Sequence, residues 1–357
     1  MDSIQAQVGS VLISGNEAAG EAAIRAGLRL YAGYPITPQN ELTAYMADQL
    51  PLRGGVFIQA ESELAAINMV FGASAAGVRA MTSSSSPGIS LKQEGISYLA
   101  GAELPALIIN VQRGGPGLGN ISPAQADYFQ ATRGGGHGDY KCICLAPASV
   151  QDVCDLTYLA FDLADKYRTP VIVLSDGMIG QMMEAARFDH LPPPCPPPKP
   201  WALTGEPGRK RNLVRSFRLS PDDLEALNLR LQAKYAEIQQ TEARWELAGP
   251  ADADVLLSAY GTSARICRQI VERPPRPLPF KVALFRPITL WPFPRKALAE
   301  LALKVRGILV VEMSSGQMVE DVRLAVEGRC RVELFGRMGG QVPAAADATE
   351  RLVSLFG

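Results

Sequence analysis

No C-x-x-C pair occurs among the six cysteines, Cys142, Cys144, Cys154, Cys195, Cys267 and Cys330. That absence argues against an iron–sulfur cluster or a zinc ion held by this chain alone, and no metal-ligand set is expected in it. Cys142 and Cys144 flank Ile143, which puts both thiols on one face of a strand and reads as core packing. No apolar run approaches the length that spans a bilayer. The N-terminal stretch MDSIQAQVGS lacks a basic region followed by an apolar core, so the expectation is a cytoplasmic protein without an export signal. An excess of charge is missing too. Thirty-five basic and 36 acidic residues leave a formal net charge of −1, so there is no global electrostatic case for nucleic acid or an anionic membrane. A P-loop and a convincing G-x-G-x-x-G are likewise absent. What remains is a chain of 357 residues, long enough for two domains with substantial cores.

The stretch GVFIQAESELAAINMVFGASAAG, residues 55–77, places carboxylates inside one of the least polar segments. Val56, Phe57 and Ile58 predict a short buried strand, and from Glu63 the apolar residues follow helical spacing. The corner between them carries Glu61, Ser62 and Glu63. An acid at Glu63 is costly unless partnered. One reading is a helix-start acid satisfied by the dipole and the free N–H groups. The other is a carboxyl held for chemistry, able to share a proton with a ring nitrogen of a bound cofactor. Upstream, YAGYPITPQN (31–40) has two prolines within four residues, Pro35 and Pro38, which forbid a regular helix and display Thr37 after Ile36. The loop either holds that hydroxyl for a ligand or simply connects a strand to a helix opening near Pro38.

Val78 to Thr82 predicts a strand, Ser83–Ser86 before Pro87 and Gly88 a hydroxyl-rich loop, and about Ser90 to Gly101 a helix. The loop suits a polar ligand, and equally suits a low-complexity turn. Leu104 to Val111 predicts the best buried strand, running into Gln112 and Arg113. A guanidinium at the C-terminal edge of a strand in a parallel α/β sheet suits a carboxylate. RGGGHGDYK (133–141) holds one of the two histidines; His137 beside Asp139 is a candidate acid–base pair, or a solvated loop histidine.

Strand–helix alternation with short connectors predicts a mostly parallel sheet covered on both faces for residues 1–190. LPPPCPPPKP (191–200) reads as a polyproline strap. Ser220-Pro221-Asp222-Asp223 starts a helix with Leu224, Leu227, Leu231, Tyr235 and Ile238 on one face, so 191–250 is a strap and linker helix lying across the first domain or a partner. Residues 251–357 predict four strand–helix pairs, a smaller α/β domain. Its loops RPITLWPFP and EMSSGQM suit packing or positioning, and it has no nucleophile–base pair of its own.

GNEAAGEAAIRAG, YPITPQN, QAESELAAINMVFGAS, TSSSSPGISL, RGGPGLGN and GGGHGDY, with RPITLWPFP and EMSSGQMVEDVR, resemble the alpha subunit of 2-oxoacid:ferredoxin oxidoreductases, most nearly the branched-chain 2-oxoisovalerate (3-methyl-2-oxobutanoate) type. The resemblance spans nearly the whole chain outside roughly 191–220, and it is the combination of motifs that is specific. It implies a thiamine-diphosphate-enzyme pyrimidine-binding domain followed by a transketolase-C-terminal-like domain. It implies oxidative decarboxylation of a 2-oxoacid, capture of the acyl group by coenzyme A and reduction of ferredoxin. Glu63 falls on the family's cofactor glutamate, which meets N1′ of the aminopyrimidine; Glu61 is the weaker choice. Ser86, Pro87 and Gly88 fall beside the cofactor, and Pro35, Ile36, Thr37 and Arg113 on substrate-facing positions, the threonine bonding the oxoacid and the arginine neutralising its carboxylate. The family's GDG motif with its Asn-rich end is missing, Ser175-Asp176-Gly177 being a superficial echo. The resemblance therefore implies a beta subunit that supplies the diphosphate site, Mg²⁺ and a [4Fe-4S] cluster, with gamma and ferredoxin-like delta subunits. A 2-oxoglutarate enzyme, a non-oxidative decarboxylase subunit and a non-catalytic assembly module stay open as alternatives.

Overall fold

The structure, a computed structural model, describes residues 9–205 and 208–357. The sequence predicts a short strand over Val8–Ser14; Val8 and most of the stretch inspected for an export signal lie outside the described residues. In chain order the first part comprises β1 (Ser10–Ser14), α1 (Gly15–Arg25), β2 (Leu30–Gly33), α2 (Asn40–Leu52), β3 (Val56–Gln59), α3 (Glu63–Ala75), β4 (Ala80–Ser84), α4 (Ser86–Gly101), β5 (Ala106–Gln112), α5 (Tyr128–Arg133), β6 (Ile143–Leu145), α6 (Val150–Tyr167), β7 (Pro170–Asp176), α7 (Gly177–Gln181) and β8 (Met183–Arg187). The second comprises α8 (Pro221–Thr241), β9 (Trp245–Ala248), β10 (Val255–Ser258), α9 (Gly261–Glu272), β11 (Val282–Pro287), β12 (Thr289–Trp291), α10 (Arg295–Ala302), β13 (Gly307–Glu312), α11 (Met318–Val326), β14 (Arg331–Gly336) and α12 (Ala345–Phe356).

A seven-stranded sheet in the order β12-β6-β7-β5-β4-β2-β3 carries the larger core, every neighbouring pair parallel except β12 with β6. β5 and β7 are buried along their whole length, as central strands with helices on both faces must be. The chain steps from β2 outward to β3 and then back to β4 on the other side of β2. At such a reversal the loops leaving the strand ends diverge and open a crevice at the C-terminal edge.

Two sequence expectations change here. Val56–Ile58 is an edge strand rather than a buried one: β3 pairs with β2 alone, and Val56 is 52% exposed. The four serines do not form a loop. Ser83 and Ser84 end β4, Ser85 is the helix cap and Ser86 already belongs to α4, because Pro87, with its fixed φ and missing N–H, is suited to a first turn.

The second sheet, β14-β13-β10-β11-β9, is parallel apart from β9, which pairs antiparallel with β11 from inside the segment read as strap and linker. RPITLWPFP, expected to be a loop suited to packing or positioning, contributes β12 to the edge of the first sheet. Helix α8 lays Leu227, Leu231, Tyr235 and Ile238 into the core, with Lys234 paired to Glu103 at 2.7 Å and the Tyr235 ring edge-on to Trp291. The two sheets are joined by buried polar contacts. Asp176, the cap of α7, accepts from the Thr262 hydroxyl (2.6 Å) and N–H (2.9 Å), and Gln125 bonds Tyr260, Ser263 and Met313. No helix among the described residues is long and apolar enough to cross a membrane.

Candidate active site

Four chain segments leave the C-terminal edge of the main sheet side by side, after β2, β3, β4 and β5, and they carry the residues singled out from the sequence. After β3 the corner places Ser62 as the cap of α3, its hydroxyl accepting from the Ala65 N–H at 3.2 Å, and Glu63 becomes the first helical residue. Glu63 is buried and Glu61 exposed, which separates the two carboxylates by environment. Among the described residues no donor hydrogen-bonds the Glu63 carboxylate.

After β4, the first turn of α4 passes close beneath that carboxylate. A Cβ added at Gly88 would stand 2.6 Å from Glu63 Oε1 and 2.1 Å from Ser84 Oγ. Only a glycine lets helix and carboxylate approach so closely. The hydroxyls of Ser84 and Ser85 are buried with no partner among the described residues. Ser86, two residues before Gly88, turns the other way: its hydroxyl donates to Asp127 Oδ2 (2.6 Å) and accepts from the Arg113 N–H (3.0 Å). Asn110 Nδ2 donates to the same Asp127 oxygen at 2.9 Å. Burial pushes the Asp127 carboxyl up, and the hydrogen bonds from Ser86 and Asn110 pull it back in part.

Arg113 follows β5 and is 8% exposed. Its Nη1 donates to the Thr37 carbonyl and its Nη2 to the Leu118 carbonyl, each at 2.9 Å, while its buried Nε has no partner among the described residues. The guanidinium therefore ties the proline loop to the glycine-rich loop. Thr37 and Arg113 are brought together, with the Thr37 hydroxyl accepting from Asn40 Nδ2 at 3.1 Å. Pro35 is exposed and Ile36 half-buried on the same loop, which is anchored through the Pro38 carbonyl by Asn16 Nδ2 at 2.8 Å. Ser86, Pro87, Arg113, Asp127, the glycines 114, 115 and 117 and, from the second sheet's loops, Met313 and Met338 line a cleft of about 450 Å³. The EMSSGQM loop thus does position a wall of it. Gln317 accepts from the Phe129 N–H at 2.8 Å and donates to the Ala126 carbonyl at 2.7 Å.

His137 and Asp139 are not brought to this place. Both are exposed and line a separate groove with Ser97, Tyr98 and Phe217. Ser97 lies eleven residues along α4 from Ser86, about 16 Å at the helical rise. No hydrogen bond links the His137 ring to Asp139, whose carbonyl instead accepts from Gln232 at 2.8 Å. Nor did sequence reasoning find Asp127 or Lys92, a fully buried lysine on α4. The signal for Lys92 was available: a cation four residues after Gly88, on the helix face turned inward.

Residues 21–192 match the family described as "Pyruvate flavodoxin/ferredoxin oxidoreductase, thiamine diP-bdg", and residues 253–348 match "Pyruvate:ferredoxin oxidoreductase core domain II". The chain is 51% identical, over 97% of its own length and 98% of the relative's, to the ketoisovalerate oxidoreductase subunit VorB of Methanothermobacter thermautotrophicus. The chain belongs to the 2-oxoacid:ferredoxin oxidoreductase family. It is an enzyme subunit of that family, and the domain carrying Glu63 is its thiamine-diphosphate-binding domain. The 2-oxoglutarate synthase subunit KorA of Methanothermobacter marburgensis is 36% identical over 96% of this chain and 98% of its own. Among solved structures, 2-oxoglutarate:ferredoxin oxidoreductase from Magnetococcus marinus, with 2-oxoglutarate, coenzyme A and succinyl-CoA bound, superposes with a TM-score of 0.82 at 27% identity; the match covers 96% of this chain and 65% of that one. A split-gene transketolase, at 15% identity and a TM-score of 0.59, shares the fold.

The residues present fit the pyrimidine end of thiamine diphosphate. An ionised carboxylate only accepts, so a buried one to which no described residue donates suits a protonated ring nitrogen, and the buried Ser84 and Ser85 hydroxyls at the start of α4 likewise have no partner among the described residues. The diphosphate end has no counterpart among the described residues. Asp176 spends its carboxylate on Thr262, Met178 and Ile179, and among the described residues no group of three or more His, Cys, Asp or Glu is arranged to hold a metal.

Proposed function

We propose that this chain is the alpha subunit of a 2-oxoacid:ferredoxin oxidoreductase that converts a branched-chain 2-oxoacid, 3-methyl-2-oxobutanoate or a near analogue, to its acyl-CoA and carbon dioxide while reducing ferredoxin. The observation that carries the reading is Glu63: a buried carboxylate without a donor among the described residues, set against the Gly88 turn in the domain that matches the cofactor-binding family. Bound there, thiamine diphosphate would supply the electron sink for decarboxylation. Glu63 would hold and return the proton at the aminopyrimidine N1′, with Ser86, Pro87 and Gly88 shaping the floor. Arg113 would neutralise the carboxylate of the oxoacid, and the Thr37 hydroxyl would bond its oxygen. A beta subunit would bring the diphosphate site, Mg²⁺ and a [4Fe-4S] cluster, with gamma and ferredoxin-like delta subunits completing the enzyme.

Two observations favour a monocarboxylic substrate over 2-oxoglutarate. Arg113 is the one cation among the described residues lining the cleft, and Asp127 adds a carboxylate to its wall, so a second substrate carboxylate finds no cation in that lining. Identity is also higher to VorB than to KorA. The test is Glu63→Gln in the reconstituted complex. The amide is nearly isosteric, so folding and assembly survive while turnover with 3-methyl-2-oxobutanoate falls by about 10²- to 10⁴-fold, and Glu61→Gln has little effect. Unchanged turnover in Glu63→Gln defeats the reading, and faster turnover of 2-oxoglutarate in a substrate panel on the native complex transfers it to the dicarboxylic class.

A further inference from the structure

Asp127 lines the cleft and takes no part in the reaction as proposed. It stands at the start of α5, where an aspartate ordinarily caps the helix by accepting from its free N–H groups. This one does not. No cap hydrogen bond reaches its side chain, and the Phe129 N–H in the first turn is served instead by Gln317, from the second sheet's loop, at 2.8 Å. The carboxylate is turned the other way, toward the opening of α4 and the body of β5. There Ser86 and Asn110 both donate to Oδ2, at 2.6 and 2.9 Å. Two donors on one oxygen suit an ionised carboxyl, and such charge-assisted bonds are the strong ones. No ion pair to Asp127 forms among the described residues, so its hold on the structure runs through these two neutral side chains.

What the carboxylate decides is the direction of a proton. A serine hydroxyl has one to give. While Asp127 takes it, the Ser86 oxygen accepts from the Arg113 N–H at 3.0 Å; the other direction open to that hydroxyl is donation to the Arg113 carbonyl, 3.3 Å away. Arg113 is the first residue past β5, continued by an isolated bridge to Pro123, and the Ser86 bond ties its main chain to the first turn of α4. From that point its side chain reaches the Thr37 and Leu118 carbonyls.

We propose that Asp127 is a positioning residue for the substrate carboxylate: by taking the Ser86 proton it fixes the Arg113 main chain on α4, and so sets where the guanidinium stands in the cleft. The proposal rests on the reading of Arg113 as the group that holds the oxoacid, and places Ser86 and Asp127 behind it. Asp127 acts through geometry and moves no proton in the reaction, so its loss weakens substrate binding and spares the chemical step.

Two measurements test it. In the reconstituted complex Asp127→Ala raises KM for 3-methyl-2-oxobutanoate about tenfold while kcat stays within about twofold of native. Ser86→Ala raises KM by the same factor, and the double variant is no worse than either, because both act through one chain of bonds. Asp127→Asn, whose amide oxygen accepts from both donors, keeps KM within about threefold of native. The second measurement needs neither cofactor nor substrate: in the full-length chain, hydrogen exchange at the Arg113 amide, followed by NMR, quickens about tenfold in Asp127→Ala and in Ser86→Ala and stays near native in Asp127→Asn. A kcat lost as completely in Asp127→Asn as in Asp127→Ala overturns the proposal, since it makes the carboxyl a proton carrier. So do losses that add in the double variant, and an Arg113 amide whose exchange does not move. Should Asp127→Ala fail to fold, KM and amide exchange in Ser86→Ala, which breaks the same chain of bonds at its middle, decide the matter. An unchanged KM in Arg113→Lys is a separate failure: it overturns the reading of Arg113, and the substrate role of Asp127 with it, whatever the amide exchange shows.

Discussion

Arg113 is a scaffold residue in the structure and, in the proposed reaction, a ligand group as well. Its two Nη atoms hold the Thr37 and Leu118 carbonyls while Nε has no partner among the described residues, so the fork that fixes the loops keeps a donor in reserve. Lysine has no fork. Arg113→Lys is expected to raise KM for the oxoacid about tenfold or more, equivalent to about 1.4 kcal/mol of binding, in steady-state kinetics of the full complex. A fall in stability with KM unchanged would make the arginine a clamp alone. Lys92 makes a second prediction, on the isolated chain. Burial pulls its folded value down to about 8, below the ordinary 10.5, so between those limits the unfolded chain binds more protons and stability rises with pH. The full contribution, about 3 kcal/mol, is absent in Lys92→Met, and urea unfolding of both proteins from pH 7 to 10.5 reads the difference. The acid at Glu63 was legible from its apolar neighbours, whereas Asp127 was not, because its significance comes from Ser86 and Asn110, distant in sequence.

The first turn of α4 is the element on which both halves of the site bear. Ser86 faces Arg113 and Asp127, Gly88 faces Glu63, and Pro87 between them starts the helix four residues earlier than spacing alone predicts. Apolar periodicity marks a helix only where its buried face begins, and here the opening turn is polar because it looks into the cleft. Gly88→Ala should therefore be more damaging to function than to folding. The added methyl meets Ser84 Oγ and the Glu63 carboxylate and must displace one of them, so turnover is expected to fall about tenfold or more while the circular dichroism of the chain stays native. Equal activity would show that the close approach is not needed. The proline loop followed the opposite course: its rigidity could be read from Pro35 and Pro38, but its attachment to Arg113 and Asn16 required the fold.

At the scale of the molecule, the two sheets interlock instead of standing side by side. β12 leaves the second half of the chain to finish the first sheet, β9 enters the second sheet from the linker side, and Asp176 with Gln125 holds the junction. Thr262→Val removes the hydroxyl that donates to Asp176 at 2.6 Å and leaves a buried carboxylate short of a donor. A loss of about 1–3 kcal/mol in urea unfolding is the expected result; a neutral change would mean that the junction contributes no stability. Most strands and helices of the two sheets and the candidacy of Glu63, Thr37 and Arg113 were legible in the sequence, since each rests on neighbours within a dozen residues: period, proline, an acid among apolar side chains; β9, β12 and the opening turn of α4 were not. The edge position of β3, the destination of β12, the exile of His137 to another groove and the burial of Lys92 were decided by the tertiary structure alone. The physical reason is range. Propensity and periodicity act along the chain, while burial, hydrogen-bond satisfaction and the field of one charge on another depend on which segments the sheet order brings together.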